Sequence, residues 1–149
     1  MENITLYEAM QYIDNYLVEA TISKKKQNIL DNQDDIKKNF NKISKDLKNL
    51  VLSSLTKKYN NGQYKFSIAE EKFFKDHEDH KEQHYLLKYT ITSNDLSKSD
   101  ISKLLANIGN NVEKEFKGSY KSFLDKGLYF DNKKEGDSTR FVELHYDFY

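Results

Sequence analysis

The first 61 residues contain neither glycine nor proline. These two residues break regular backbone most strongly, one through its freedom and the other through its missing N–H. A stretch this long without either can run as helix wherever its apolar residues repeat at helical spacing. Thr5-Leu6-Tyr7-Glu8 has the form of a capping box, and Ile4 can staple against Ala9. Leu6, Met10, Ile13, Leu17 and Ala20 then follow at alternating steps of four and three, which predicts a helix over 4–22.

The next segment repeats in sevens. Ile29, Ile36, Ile43 and Leu50 lie seven apart, and Gln33, Phe40, Leu47 and Ser54 fill the intervening positions. A second helix is predicted over 33–58, starting as early as residue 23. Two roles compete for its seam. It can pair with 4–22 as a helical hairpin and cover a sheet, or it can meet a second copy through Ile29, Ile36, Phe40, Ile43, Leu47 and Leu50, as in a coiled-coil homodimer.

Asn60-Asn61-Gly62 is a turn signal, and beyond it the apolar period changes from about 3.6 to 2. Tyr64, Phe66 and Ile68 form one alternating run, and Tyr85, Leu87, Tyr89 and Ile91 form another. Residues 69–84 between them read either as a short charged helix or as the tip of a long hairpin. Ser97-Lys98-Ser99-Asp100 opens a further helix, with Ile101, Leu104, Leu105, Ile108, Val112 and Phe116 on one face; Gly109 and Gly118 weaken or interrupt it. Leu128 and Phe130 begin a strand, Asp131–Ser138 is a polar turn, and Val142, Leu144, Tyr146 and Phe148 alternate to the end. The expected fold class is therefore α+β: an N-terminal long-helix hairpin over 1–61, then an antiparallel β-β-α-β-β region over 62–149 with one helix packed across the sheet, the two forming one compact unit.

Composition limits function more than it identifies it. Without cysteine there is no disulfide framework, thiolate nucleophile or Cys-ligated metal. No signal peptide or transmembrane stretch is visible, so the expected location is the cytoplasm, with no membrane partner. Arg140 is the sole arginine, which equips the chain poorly for bidentate reading of phosphate or guanine. The net charge is zero but unevenly spread: residues 21–60 are rich in lysine, and 70–84 are acidic. Abundant Asn, Ile, Lys, Tyr and Phe point to an AT-rich genome, such as that of a low-GC bacterium or its phage.

Catalytic-type residues concentrate in one place. Asp76-His77-Glu78-Asp79-His80-Lys81-Glu82-Gln83-His84 holds three of the four histidines. If this segment is helical, His77, His80 and His84 share one face and could bind zinc or a similar ion. If it is a loop, it is a solvated acidic tip. On the last strand Phe141, Glu143, His145, Asp147 and Tyr149 occupy the phase opposite to the core residues, an outward face that mixes aromatic and ionisable groups. No nucleophile elbow or phosphate-cradling glycine loop is present, and no cofactor is expected. The region 96–146 also fits a winged helix, with a turn at 107–109, a recognition helix carrying Lys114 and Lys117, and a wing tipped by Lys133 and Lys134.

Taken together, the sequence leads to a non-enzymatic module that binds another protein, in the manner of a phage or mobile-element inhibitor or adaptor that occludes a partner's surface. The contact residues expected are Phe141, Glu143, His145 and Tyr149, or Lys38, Lys42 and Lys45 on the long helix. A winged-helix DNA-binding regulator is the first alternative, and a metal-binding protein using His77, His80 and His84 is the second.

Overall fold

The computed structural model describes the backbone of residues 6–58 and 64–149, and the side chains of residues 24–57 and 64–149. The Thr5–Glu8 capping box, the side chains of the Leu6–Ala20 seam and the Asn60-Asn61-Gly62 turn lie outside the described residues.

The opening helical stretch is one helix. α1 spans Leu6–Lys58, 53 residues, about 80 Å at the helical rise per residue. The expected hairpin of two helices is corrected on this point. The polar segment Lys24–Gln27 separates the two apolar seams, but lysine and glutamine are good helix formers and nothing there interrupts the hydrogen-bond ladder.

The heptad seam is corrected as well. The buried stripe of α1 is Ile36, Phe40, Ile43, Leu47, Val51 and Leu55, each at most 2% exposed. It follows the heptad through Leu47 and then moves one position ahead, to Val51 and Leu55 instead of Leu50 and Ser54. A straight helix has 3.6 residues per turn and drifts about 20° per heptad against a 3.5 repeat, so a flat partner is met by a shifting set of positions. That partner is the chain's own sheet: the Phe40 and Tyr146 rings lie 5.0 Å apart. Ile36, Phe40, Ile43 and Leu47 are therefore occupied within the chain and are not available as a homodimer seam. Leu50 packs against the same core, and Ile29 lines a small cavity beside Tyr129.

Four antiparallel strands follow: β1 (Lys65–Asp76), β2 (Lys81–Thr92), β3 (Tyr129–Lys134) and β4 (Thr139–Phe148), in the spatial order β1-β2-β4-β3. Residues 69–84 are thus a long hairpin with its tip at 77–80, closed by the His77 N–H donating to the His80 carbonyl at 2.9 Å. Half of the expected polar turn Asp131–Ser138 is strand, since β3 continues to Lys134.

α2 (Lys98–Ser119) and the short α3 (Lys121–Asp125) connect β2 to β3. Ser97 caps α2, its Oγ accepting from the Asp100 N–H at 3.1 Å. Ile101, Leu105, Ile108, Val112 and Phe116 form its buried stripe. α2 runs unbroken through Gly109 and Gly118, so the turn at 107–109 that a helix-turn-helix needs is absent. Gly109 does not end the helix; it makes room. A β-carbon there would stand 2.8 Å from Nε of Arg140. After α3, Gly127 adopts a φ of +116°, a conformation that glycine takes readily, and turns the chain into β3. α1 and α2 together with the inward side chains of β2 and β4 enclose one core that includes Tyr85, Leu87, Tyr89, Ile91, Val142, Leu144 and Tyr146.

Candidate metal centre on the outer sheet face

Successive side chains of a strand point to opposite faces. With Tyr85, Tyr89, Val142, Leu144 and Tyr146 turned inward, the alternate positions of β2 and β4 make the outer face. Pairing then decides which of them meet. Phe73 of β1 stands opposite His84 of β2, His84 opposite His145 of β4, and His145 opposite Tyr129 of β3. Four rings form one row from edge to edge. Phe73 and His84 stack with centroids 4.8 Å apart, His84 and His145 at 4.7 Å, and His145 and Tyr129 at 4.5 Å. Stacking on aromatic neighbours limits the rotation of both imidazoles.

Carboxylates flank this row. Glu82 and Asp147 face each other one step along the strands, and Glu143 faces Leu86 on the other side. Glu143 Oε1 lies 2.5 Å from Nδ1 of His84, and Glu82 Oε1 lies 3.0 Å from its Nε2. The His84 side chain is 3% exposed, whereas Glu82 and Glu143 are 15% and 24% exposed. His84 is therefore a buried ring gripped on both nitrogens by carboxylates that still reach solvent. At the hairpin tip His77 Nε2 contacts Glu82 Oε2, His80 Nδ1 lies 2.6 Å from Asp79, and the His77 and His80 rings stack at 4.5 Å.

Three sets bring potential ligand atoms within 4.8 Å of one another: His84, Glu143 and His145; His77, His80 and Glu82; and Glu82, His145 and Asp147. Ligands around a tetrahedral ion stand roughly 3.3 Å apart, given bonds near 2 Å. The 4.8 Å limit exceeds that separation by about 1.5 Å, so each set must draw together to close on an ion. Two of the three are pairs of histidines with one carboxylate.

The electrostatics favour the ligand form of His145 and of Glu82. Burial lowers the basicity of His145, and the neighbouring His84 adds to this; Glu143, Glu82 and Asp147 act the other way without reversing it. Its ring is thus biased to the neutral form that binds metal. Burial pushes the Glu82 carboxyl up, but hydrogen bonds and charge from His77 and His84 outweigh that and hold it below the ordinary range. Asp79 is also lowered, chiefly by its hydrogen bond with His80.

The residues singled out in the sequence are redistributed. The ligand atoms of His77, His80 and His84 do not gather in one group: the first two converge with Glu82, while His84 converges with Glu143 and His145. Glu143 and His145 lie at the centre of the outer face, with Phe141 half-buried beside them. Tyr149 leans on α1 instead, donating its backbone N–H to Gln33 Oε1 at 2.7 Å under the Lys26 ammonium. Lys38, Lys42 and Lys45 are exposed on α1, which covers the opposite face, so they form no common surface with Phe141, Glu143 and His145. Lys117 pairs with Glu113 at 3.2 Å, Lys133 with Asp131 at 3.0 Å and Lys134 with Asp137 at 3.6 Å, while Lys114 is exposed on α2. Those lysines are interleaved with acids, not gathered toward a phosphate backbone.

Sequence reasoning found the individual residues but missed their meeting. The available signal was phase: His84 and His145 are each one position out of step with a core tyrosine. Comparison with known protein families, curated proteins and solved structures finds no match, and among the described residues no helix is long and apolar enough to cross a membrane.

Proposed function

We propose that this protein binds a divalent transition-metal ion through His84, Glu143 and His145 on the outer face of its sheet. The observation that carries the reading is the direct opposition of His84 and His145 across β2 and β4, with Glu143 beside them and within ligand reach. Two imidazoles and a carboxylate suit zinc, iron(II) or a neighbouring first-row ion better than magnesium or calcium, which prefer all-oxygen shells. Three protein ligands leave a coordination position for water or a ligand oxygen. Glu82 against the far nitrogen of His84 resembles the outer-shell carboxylate that orients a metal-bound histidine. This reading departs from the expectation of a cofactor-free module.

Calorimetric titration with zinc chloride, and cobalt(II) absorption in the visible, test it. The wild-type protein is expected to bind tightly; His84→Ala and His145→Ala are each expected to lose at least about 100-fold in affinity. Wild-type protein that remains metal-free at micromolar zinc would refute the reading.

The reading of a protein that occludes a partner's surface keeps one specific support. Phe74 is 64% exposed and borders an open groove of about 580 Å³ with Lys37, Asn41, Lys81, Gln83 and Phe148. Exposed large aromatics of this kind anchor protein contacts. A partner recovered with wild-type protein and lost with Phe74→Asp would support that role; equal recovery with both would dismiss it.

A further inference from the structure

We infer that a second ion of the same class binds at the β1–β2 hairpin tip through His77, His80 and Glu82, and that Glu82 couples it to the strand ion. The coupling rests on the metal reading proposed above; the tip site stands on its own geometry. The tip repeats the logic of the strand site. His80 has Nδ1 against Asp79 at 2.6 Å, which leaves Nε2 facing Glu82 Oε2, 4.0 Å away. His77 brings Nε2 to the same carboxylate oxygen. The tight 77–80 turn holds both rings parallel on one side, and their ligand atoms lie within 4.8 Å of Glu82. A cavity of about 430 Å³, lined by Asp79, His80, Asp147 and Tyr149 and also by Lys25 and Lys26, opens beside His80.

Glu82 faces both positions. Its Oε2 serves the tip, and its Oε1 lies 3.0 Å from His84 Nε2. When an ion takes Nδ1 of His84, that ring keeps its remaining proton on Nε2 and donates it to Glu82. The donation fixes the Glu82 carboxylate with its other oxygen toward His77 and His80. An ion at the tip fixes the same carboxylate and so holds His84 in the tautomer the strand ion needs. Each ion therefore pre-orients the other's ligands, and the benefit is reciprocal.

The experiment is metal content after equilibrium dialysis against zinc chloride, with affinities from competition against a chelator. Variants are the double substitution His77→Ala/His80→Ala, the single Glu82→Ala, and His84→Ala/His145→Ala, each checked for folding by circular dichroism. Two ions are expected on the wild-type chain and one on each double variant. Glu82→Ala should lose the tip ion and bind the strand ion about 10- to 100-fold more weakly. One ion on the wild-type chain, retained by His77→Ala/His80→Ala, would overturn the second site and leave the strand reading standing. One ion lost with His77→Ala/His80→Ala and kept without His84 and His145 would overturn the strand site and the coupling together. No bound zinc on the wild type would overturn both readings. Two ions with unchanged strand affinity in Glu82→Ala would overturn the coupling.

Discussion

The two faces of the sheet are built from alternate residues of the same strands, yet they obey different rules. Inward, Tyr85, Leu87, Tyr89, Ile91, Val142, Leu144 and Tyr146 lie under α1 and α2 at 1% exposure or less. Outward, Glu82, His84, Glu143, His145 and Asp147 gather around one aromatic row. The inner face is specified by burial, which any apolar side chain of the right size satisfies. The outer face is specified further, by which residue stands opposite which, so a slip of two residues in β4 would keep apolar residues inward yet part His84 from His145. A slip of one residue in β4 would exchange its two faces.

The inner face is not wholly apolar; some of its polar members are held individually, whereas the Tyr89 hydroxyl and Arg140 Nε are buried with no hydrogen-bond partner among the described residues. Tyr85 donates to Glu70 Oε1 at 2.7 Å, and Tyr146 donates to Gln83 Oε1 at 2.6 Å. Arg140 lies inward against Gly109, where Asn132 donates to the Gly109 carbonyl at 2.9 Å. Burial pushes the Tyr146 hydroxyl up to about 12, and burial together with the Asp46 carboxylate does the same for Tyr120.

The largest expected effect breaks the comparison most directly. Leu144→Ala should destabilise the protein by about 2–5 kcal/mol in urea denaturation, because it leaves a cavity under two helices. Its chain neighbour His145→Ala should cost about 1 kcal/mol or less in metal-free protein. Equal losses would mean that the outer row is as structural as the core. A smaller effect tests the packing of α2. Gly118→Ala meets nothing within 4 Å and should gain up to about 1 kcal/mol from helix propensity. Gly109→Ala carries the same propensity gain but must displace the Arg140 guanidinium, and thermal denaturation should place it at least about 1 kcal/mol below Gly118→Ala.

The smallest effect concerns protons. Glu70 titrates below its ordinary range, first through the Tyr85 hydroxyl and further through Lys48 and Lys72, with burial opposing. A carboxylate lowered in the folded state contributes stability above its unfolded pKa and loses it as pH falls through the folded value. Tyr85→Phe removes the main cause, so the Glu70 pKa followed by NMR should rise toward normal and the acid-side loss of stability should become shallower. An unmoved Glu70 pKa would assign the shift to the lysines instead.

Much of the fold was legible because local periodicity reports burial. The alternation of Tyr85–Ile91 and of Val142–Phe148 set the strands and their core phase, and the Ser97 cap and the Ile101–Phe116 spacing set α2. The helical hairpin was misread because two apolar seams flank a lysine-rich segment, and a change in polarity looked like a change in structure. The heptad was misread because Leu50 and Val51 are adjacent and both apolar, and only the partner's shape chooses between 3.5 and 3.6 residues per turn.

By itself the sequence determined the α+β class, the side of each strand that is buried, and the chemistry of the residues left over. Tertiary structure alone decided the strand order β1-β2-β4-β3 and the pairing of His84 with His145. His84 and Glu143 are 59 residues apart, and no local preference can bring them together. Their meeting is settled when the helices and strands close over a common core, since only then does one register bury every inward side chain at once.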